Sequence, residues 1–263
     1  MGNEKGGSGK STTAMHLLVA LTRSGHAVGA MDLDLRQQSF FRYLDNRAAY
    51  IERKGIALPM PVQHRLAPST LDSTRDARTE EEDRFGAALQ ELERQTDFIL
   101  IDCPGAHTRF AQMAHAVADT LITPMNDSLI DFDLLARIDP GTGKVIGPSI
   151  YAEMVWDSRQ LRARAALKPI DWVVLRNRMA TVNAKNRHKV GHALKDLSKR
   201  IGFRIVPGFS ERVIFRELFL SGLTLLDLRE ADRSMMSMSN IAARQEVREL
   251  LRALNLPNVD LTI

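Results

Sequence analysis

Lys5-Gly6-Gly7-Ser8-Gly9-Lys10-Ser11-Thr12 is the stretch on which the reading of this chain turns. Its glycines let backbone N–H groups turn toward an anion at a range that a Cβ would obstruct. A helix expected from about Ser11 aims its dipole and its free N–H groups at the same point. Lys10 is placed to reach the outer phosphates of a bound polyphosphate, and the Ser11 hydroxyl to ligate a divalent cation. The spacing predicts a phosphate cradle made of Gly6, Gly7, Ser8, Gly9, Lys10, Ser11 and Thr12.

Upstream of the cradle something is missing. A phosphate loop should follow a buried strand of about five or six residues, yet only Met1 precedes Gly2-Asn3-Glu4. The expectation is that translation starts upstream of Met1; the alternative is a domain lacking a central strand. Downstream, short apolar runs alternate with amphipathic stretches, which predicts an α/β fold: a mainly parallel sheet with helices on both faces. Strands are expected at Ala27–Leu33, Phe98–Ile101, Thr120–Pro124, Trp172–Leu175 and Phe203–Val206. Helices are expected at roughly Ser11–Ser24, Phe40–Arg53, Glu80–Gln95, Thr108–Ala118, Ser128–Arg137, Asn183–Arg200, Glu211–Phe219 and Asn240–Asn255. Prolines and glycines mark loop-rich insertions at 55–79 and 140–148. No repeat divides the 263 residues, so a single domain, 1–263, is expected.

Two strands end in carboxylates. Phe98-Ile99-Leu100-Ile101-Asp102 is followed by Cys103-Pro104-Gly105, and Met31-Asp32-Leu33-Asp34 closes an earlier strand, where strict alternation puts both aspartates on one side. Asp102 and Asp34 join Ser11 as candidate metal-site residues, although turn-forming aspartates also end strands for local reasons.

Glu4 stands where the general phosphate-loop pattern has glycine, and Lys5 follows it. A second lysine five residues before Lys10 is the mark of the deviant Walker A loop, and the chain resembles the ParA/MinD ATPases of the P-loop superfamily. More narrowly, it resembles the MipZ family. The carrying stretches are Gly2–Gly7, Asp32–Gln37, Pro124-Met125-Asn126-Asp127-Ser128, Asp131-Phe132-Asp133, Asp171–Arg178 and Gly222-Leu223-Thr224-Leu225-Leu226-Asp227-Leu228. The resemblance implies ATP and Mg²⁺ as cofactors and an ATP-dependent homodimer. It implies that Lys5 reaches the partner subunit's phosphates, that Asp34 orients the attacking water, and that Asp102 closes a Walker B strand near the metal. Lys5, Lys10 and Asp34 are then the catalytic residues. Asn177 lies where the superfamily reads the adenine edge, or is simply a polar residue ending a strand. Implied partners are FtsZ and ParB, with inhibition of FtsZ assembly as the output and enrichment near the nucleoid and poles as the distribution. A ParA-type partition ATPase, or a metabolic ATP-using enzyme of the same fold, are the alternatives.

Composition narrows the rest. With 36 Lys+Arg against 32 Asp+Glu the net charge is only +4, so any basic patch must come from clustering. Such a cluster exists at 183–201. Val190, Leu194, Leu197 and Ile201 form an apolar stripe, while Lys185, His188, His192, Lys195 and Lys199 fall within about 80° of arc on the opposite side. Arg187 and Lys189 flank this ridge, and Arg212 with Arg216 extend it. It suits phosphate backbones without sequence reading, or it is an ordinary solvated face; the resemblance favours DNA. The single cysteine excludes an intrachain disulfide and a cluster shared through paired cysteines, and the seven histidines show no zinc spacing. No apolar run approaches about 18 residues, a cytoplasmic protein is expected, and the mixed charges of the last helix suit packing better than a membrane anchor.

Overall fold

The computed structural model describes residues 1–126, 128–139, 145–179, 184–231 and 235–259. They group into two compact units. The first takes Met1–Lys10, Cys103–Arg212 and Arg252–Leu254; the second takes Ser11–Asp102, Val213–Leu251 and the described part of Asn255–Ile263. Each has its own parallel sheet.

In the second unit, helix α1 (Lys10–Arg23) leads into β1 (Val28–Asp32), which pairs in parallel with β2 (Val62–Gln63) and with β3 (Phe98–Asp102). Every residue of β1 is buried, as expected for a strand covered on both faces. The register runs from Val28 opposite Phe98 to Asp32 opposite Asp102, so two carboxylates end side by side. Helix α2 (Ser39–Lys54) buries Phe40, Phe41, Tyr43, Leu44 and Arg47, and Gly55 ends it in the left-handed region. Helix α3 (Thr74–Gln95) is capped by Ser73, whose side chain accepts from the Asp76 N–H. Then come α7 (Ile214–Ser221), α8 (Leu228–Ala231) and α9 (Met238–Leu254).

A buried ion pair holds α2 to the turn before α8. Asp227 takes both prongs of Arg47, at 2.7 and 2.9 Å, with both side chains out of solvent. Thr224 donates to the same carboxylate through its N–H and its hydroxyl, each at 2.7 Å, and Arg23 adds a third guanidinium bond at 2.9 Å. Burial works against the Asp227 charge, but the Arg47 and Arg23 hydrogen bonds overcome it and hold the carboxyl at about 2. Gly222 makes the approach possible, because a Cβ there would lie 1.9 Å from the Arg47 backbone nitrogen. The Gly222–Leu228 stretch therefore has a packing reason for its composition.

The first unit has the parallel order β4 (Thr120–Asn126), β7 (Asp171–Asn177), β8 (Arg204–Val206), together with an antiparallel pair of β5 (Ala136–Ile138) and β6 (Val145–Pro148). Helices α4 (Arg109–Val117), α5 (Ile150–Arg164) and α6 (Ala184–Ile201) complete it. Trp172 sits in its core, 6.1 Å from the Tyr151 ring and 5.4 Å from that of Phe203. Where a leading strand was expected, Met1 accepts from the Cys103 N–H and Gly2 donates to the Ile122 carbonyl of β4, each at 3.0 Å.

All five expected strands are present, and several other expectations need correcting. The helix expected at Ser128–Arg137 is a 3₁₀ turn over Leu129–Leu134 followed by β5. The Asp131 carboxylate accepts from the Asn126 N–H, offering the backbone an alternative to helical bonding. Val145–Pro148, read as loop, is a strand paired with β5. Helix α5 was not anticipated because apolar residues lie on both its faces: Tyr151, Met154 and Val155 are buried, while Ile150, Trp156 and Leu161 are exposed. Helix α3 starts at Thr74, inside the expected insertion, and α7 starts at Ile214, so Arg212 is not on it.

Replacing Asp227 by Asn should cost about 3–5 kcal/mol, because it strands Arg47 in the interior without its counter-charge. The double variant Arg47→Met/Asp227→Leu should recover most of that loss. Urea unfolding midpoints of the three proteins, followed by circular dichroism, provide the check.

Candidate functional site

The loop residues up to Lys10 belong to the first unit. Asn3, buried, donates to the Pro124 carbonyl at 2.5 Å and accepts from the Lys5 N–H at 2.6 Å, which fixes the chain as it enters the loop. Gly7 and Gly9 take φ of +70° and +91°. A Cβ on Gly6 or Gly7 would meet nothing within 4 Å, so the loop presents an open concave backbone there. At Gly9 the opposite holds: a Cβ would fall 2.1 Å from the Asn177 amide nitrogen. That amide donates to the Ser8 carbonyl at 2.8 Å, and its oxygen accepts from the Arg178 N–H at 2.9 Å. Asn177, proposed from sequence as an adenine reader, thus braces the loop from the end of β7. The Ser8 hydroxyl is buried and has no hydrogen-bond partner among the described residues.

The two lysines are held by oxygen. Lys10 Nζ donates to the Lys5 carbonyl at 3.1 Å, and Lys5 Nζ pairs with Asp131 at 3.0 Å with about a third of the Lys5 side chain exposed (36%). Gly105 lies beside them, where a Cβ would come 3.4 Å from the Gly6 nitrogen and 3.5 Å from Lys10 Nζ.

The acidic residues belong to the second unit. Ser11 Oγ, in the first turn of α1, donates to Asp102 Oδ2 at 2.5 Å. Asp32 neighbours Asp102 across the β1–β3 register. Burial pushes the Asp32 carboxyl up to about 7, and the Asp102 charge adds to the rise. Its oxygens are engaged by backbone: Oδ1 takes the Asp34 N–H at 2.9 Å, and Oδ2 takes the Phe40 and Phe41 N–H groups at 2.9 and 3.3 Å. Asp34 is half-buried, lies past the end of β1, and accepts from the Gln37 N–H at 3.0 Å. Asp34 lies two residues beyond the last residue of β1, immediately before the turn at 35–37.

These donors suit magnesium. Mg²⁺ keeps several waters and takes one or two carboxylates plus substrate phosphates, and does not need a closed protein cage. A hydroxyl and a carboxylate already within hydrogen-bond distance form such an open set, and among the described residues there is no cluster of three or more His, Cys, Asp or Glu that would form a cage.

On α6, His192, Lys195 and Lys199 are exposed while Leu194 and Leu197 are buried, the two-faced pattern expected for those positions. The side chains of Lys185, Arg187, His188 and Lys189 lie outside the described residues. Arg212 is half-buried in the first unit; Arg216 is exposed on α7 of the second. Sequence reasoning missed the roles of Asn3, Asp32 and Asp131. Asp131 pairs with a lysine 126 positions away, which no local spacing reveals.

A family model described as "ATPase MipZ" matches residues 1–258. The septum site-determining protein MinD of Helicobacter pylori is 30% identical over 148 residues, covering 51% of this chain and 55% of that protein. MinD of Synechocystis sp. is 28% identical over 171 residues, covering 57% and 64%. The match thus spans less than two thirds of the length of these curated relatives. Among solved structures, an ATP complex of Cyanothece McdA superposes with a TM-score of 0.63 at 16% identity, covering 98% of this chain and 96% of that one. MinD of Pyrococcus horikoshii, complexed with Mg-ADP, gives 0.55 at 17% identity, covering 95% and 94%. These likenesses establish the α/β fold of the ParA/MinD type.

Gly9→Ala should weaken nucleotide binding at least tenfold, since the new methyl both opposes the left-handed backbone and displaces Asn177 from Ser8. Titration with a fluorescent ATP analogue measures it; wild-type affinity would show that the Asn177 brace does not shape the loop.

Proposed function

This chain belongs to the MipZ family of ATPases, and on that premise we propose that it is an ATP-hydrolysing, dimerising switch that takes part in placing the bacterial division site. The observation that carries the reading is the loop itself: an open glycine backbone with Lys10 at its end and a second lysine, Lys5, at its start. The septum-site names of its relatives support the division role.

Gly6 to Thr12 would hold the phosphates, and Ser11 with Asp102 would hold Mg²⁺, with Asp34 contributing near the metal. When bound, the cation would offset the negative charge that builds during phosphoryl transfer. Asp34 would orient the attacking water through its carboxylate. Lys5 would reach across to the partner's nucleotide, where a cation stabilises developing charge. To do so it must leave Asp131. Asp131, largely buried, would keep the Asn126 N–H as a donor. Asn177 would serve the nucleotide by shaping the loop, whatever it contributes to the adenine. The finer reading adds ParB and FtsZ as partners, opposition to FtsZ assembly, non-specific DNA binding, and a single ATPase domain spanning the chain without a membrane anchor. Among the described residues no helix is long and apolar enough to cross a membrane.

Lys5→Ala and Asp34→Ala should each lower ATP turnover at least tenfold, but for different reasons. Asp34→Ala should still dimerise with ATP, whereas Lys5→Ala should bind ATP and stay monomeric. Phosphate-release assays and light scattering separate the two; ATP-dependent dimers of the Lys5 variant would remove its cross-interface role.

DNA binding should require ATP and fall steeply with salt, since each neutralised phosphate releases counterions. Lys195→Glu with Lys199→Glu should weaken two unrelated duplexes alike, by at least tenfold, and spare hydrolysis. Fluorescence anisotropy with a non-hydrolysable analogue tests this, and unchanged affinity would return the ridge to an ordinary solvated face.

A further inference from the structure

Glu4 stands where the general phosphate-loop pattern has glycine, and its side chain meets a residue 103 positions away. Glu4 Oε1 lies 3.1 Å from His107 Nδ1. A carboxylate can only accept, so Nδ1 carries the proton of this bond. On the other side of the ring, Nε2 lies 2.7 Å from the Gln112 amide nitrogen, which donates to it when the ring is neutral. Gln112 sits in the first turn of α4, where its N–H bonds the Thr108 carbonyl at 3.1 Å, so a helix sets the orientation of the ring. Glu4, His107 and Gln112 thus form one chain of side chains, all within the first unit.

This chain joins a fixed segment to an irregular one. Glu4 lies between Asn3, bonded to the Pro124 carbonyl, and Lys5, paired with Asp131, so the loop is held on both sides of it. Residues 103–108 have no regular secondary structure. Their start is tied by the Cys103 N–H to the Met1 carbonyl, and their end by Thr108, whose hydroxyl accepts from the Ala111 N–H at 3.2 Å. Pro104 has no N–H to give. Between those ends Gly105 passes beside the phosphate loop, within 3.4 Å of the Gly6 nitrogen and 3.5 Å of Lys10 Nζ when measured from a Cβ placed on it. Gly105 therefore borders the place where Lys10 ends, and His107, two residues on, anchors the stretch to Glu4.

We propose that Glu4 is a positioning residue for the terminal phosphoryl group of ATP: through His107, itself oriented by Gln112, it holds Gly105 against the phosphate loop. The inference rests on the ATPase reading given above. Holding the stretch in place before the nucleotide arrives lowers the ordering entropy that binding must overcome. ADP lacks the terminal group, so the pair sharpens the preference for the triphosphate and leaves ADP to the loop glycines and Lys10. A loss of stability would instead weaken both nucleotides alike. The His107 side chain is 42% exposed and that of Glu4 23%, and pairs of this kind are weak, so the effect is several-fold and not all-or-none.

The test is titration of the full chain with ADP and with a non-hydrolysable ATP analogue, both with magnesium, read as the ratio of the two dissociation constants. In Glu4→Ala and in His107→Ala the preference for the triphosphate should fall about threefold, with ADP affinity held within about twofold of the parent. The double variant should fall no further than the worse single one, since the two side chains act as a unit. Glu4→Gln, whose amide oxygen still accepts from Nδ1–H, should recover most of the lost preference. Thermal melts show that the variants are folded; should an alanine variant not be, Gln112→Ala, on α4 and off the loop, takes its place with a loss of about twofold. An unchanged ratio in the folded variants overturns the positioning role and leaves the ATPase reading standing. Equal weakening of ADP and the analogue, additive losses in the double variant, or no recovery in Glu4→Gln do the same. A parent chain that binds neither nucleotide overturns both.

Discussion

Asp32 accepts hydrogen bonds from the N–H groups of Asp34, Phe40 and Phe41, and those bonds set where β1 stops, how the chain turns at Asp34 and where α2 begins. A buried carboxylate needs a cation, hydrogen bonds or a proton. Burial and then the charge of its neighbour Asp102 push the Asp32 carboxyl up to about 7, against the three backbone donors that favour its ionised form. Two carboxyl groups thus bring their negative charge side by side at these strand ends. A divalent cation beside Asp102 would relieve that charge, and its field would draw both carboxyls toward ionisation.

Asp227 shows the other solution to the same problem. It is as buried as Asp32 but meets Arg47, Arg23 and two donors from Thr224, and its carboxyl falls to about 2. Nothing is left over for a ligand. Nearby, His16 keeps α1 in place without charge: burial lowers its imidazole to about 4, Nδ1 donates to the Thr12 carbonyl, and Nε2 accepts from the Leu225 N–H. Because Thr12 closes the phosphate-binding stretch, the first turn of α1 is anchored through neutral His16 to the segment that also holds Asp227. Saturated polar networks of this kind rigidify a scaffold, and here the scaffold carries Ser11.

What could be read from the sequence follows the range of each interaction. The loop was legible because its glycines act on their own backbone, within a few positions. β1 and the Trp172–Leu175 part of β7 were legible because burial on both faces leaves a continuous apolar run. Helix α5 was not, because exposed Trp156 and Leu161 blur its apolar face. The helical pattern over Ser128–Arg137 is instead a 3₁₀ turn and β5, with Asp131 accepting from the Asn126 N–H of the preceding strand. The partners that shape the site lie far apart in the chain: Lys5 with Asp131, Ser8 with Asn177, Ser11 with Asp102. Sequence reading named Ser11 and Asp102 for one metal site and named Ser8, Asn177 and Lys5 singly, but local spacing could not name the Lys5–Asp131 or Ser8–Asn177 contact. The Gly222–Leu228 stretch marked the family before its physical reason was visible, which is the close passage of the α2 backbone past Gly222.

The loop lysines carry the last step of the synthesis. Lys10 already donates to a backbone carbonyl and Lys5 to a carboxylate, so neither ammonium waits bare for a phosphate. Nucleotide binding is then an exchange of acceptors, and only the difference between old and new partners contributes to affinity. For Lys10 the exchange is uphill for no one: a neutral carbonyl gives way to charged phosphate oxygens, and charge-assisted bonds are roughly twice as strong. For Lys5 one anion replaces another, so the exchange is close to balanced unless the new anion carries more charge or lies in a drier place. A closed interface between two nucleotide-bound subunits supplies both conditions, and an isolated monomer supplies neither. In the switch proposed above, the two lysines would divide the work, with Lys10 favouring capture by one chain and Lys5 responding to the second.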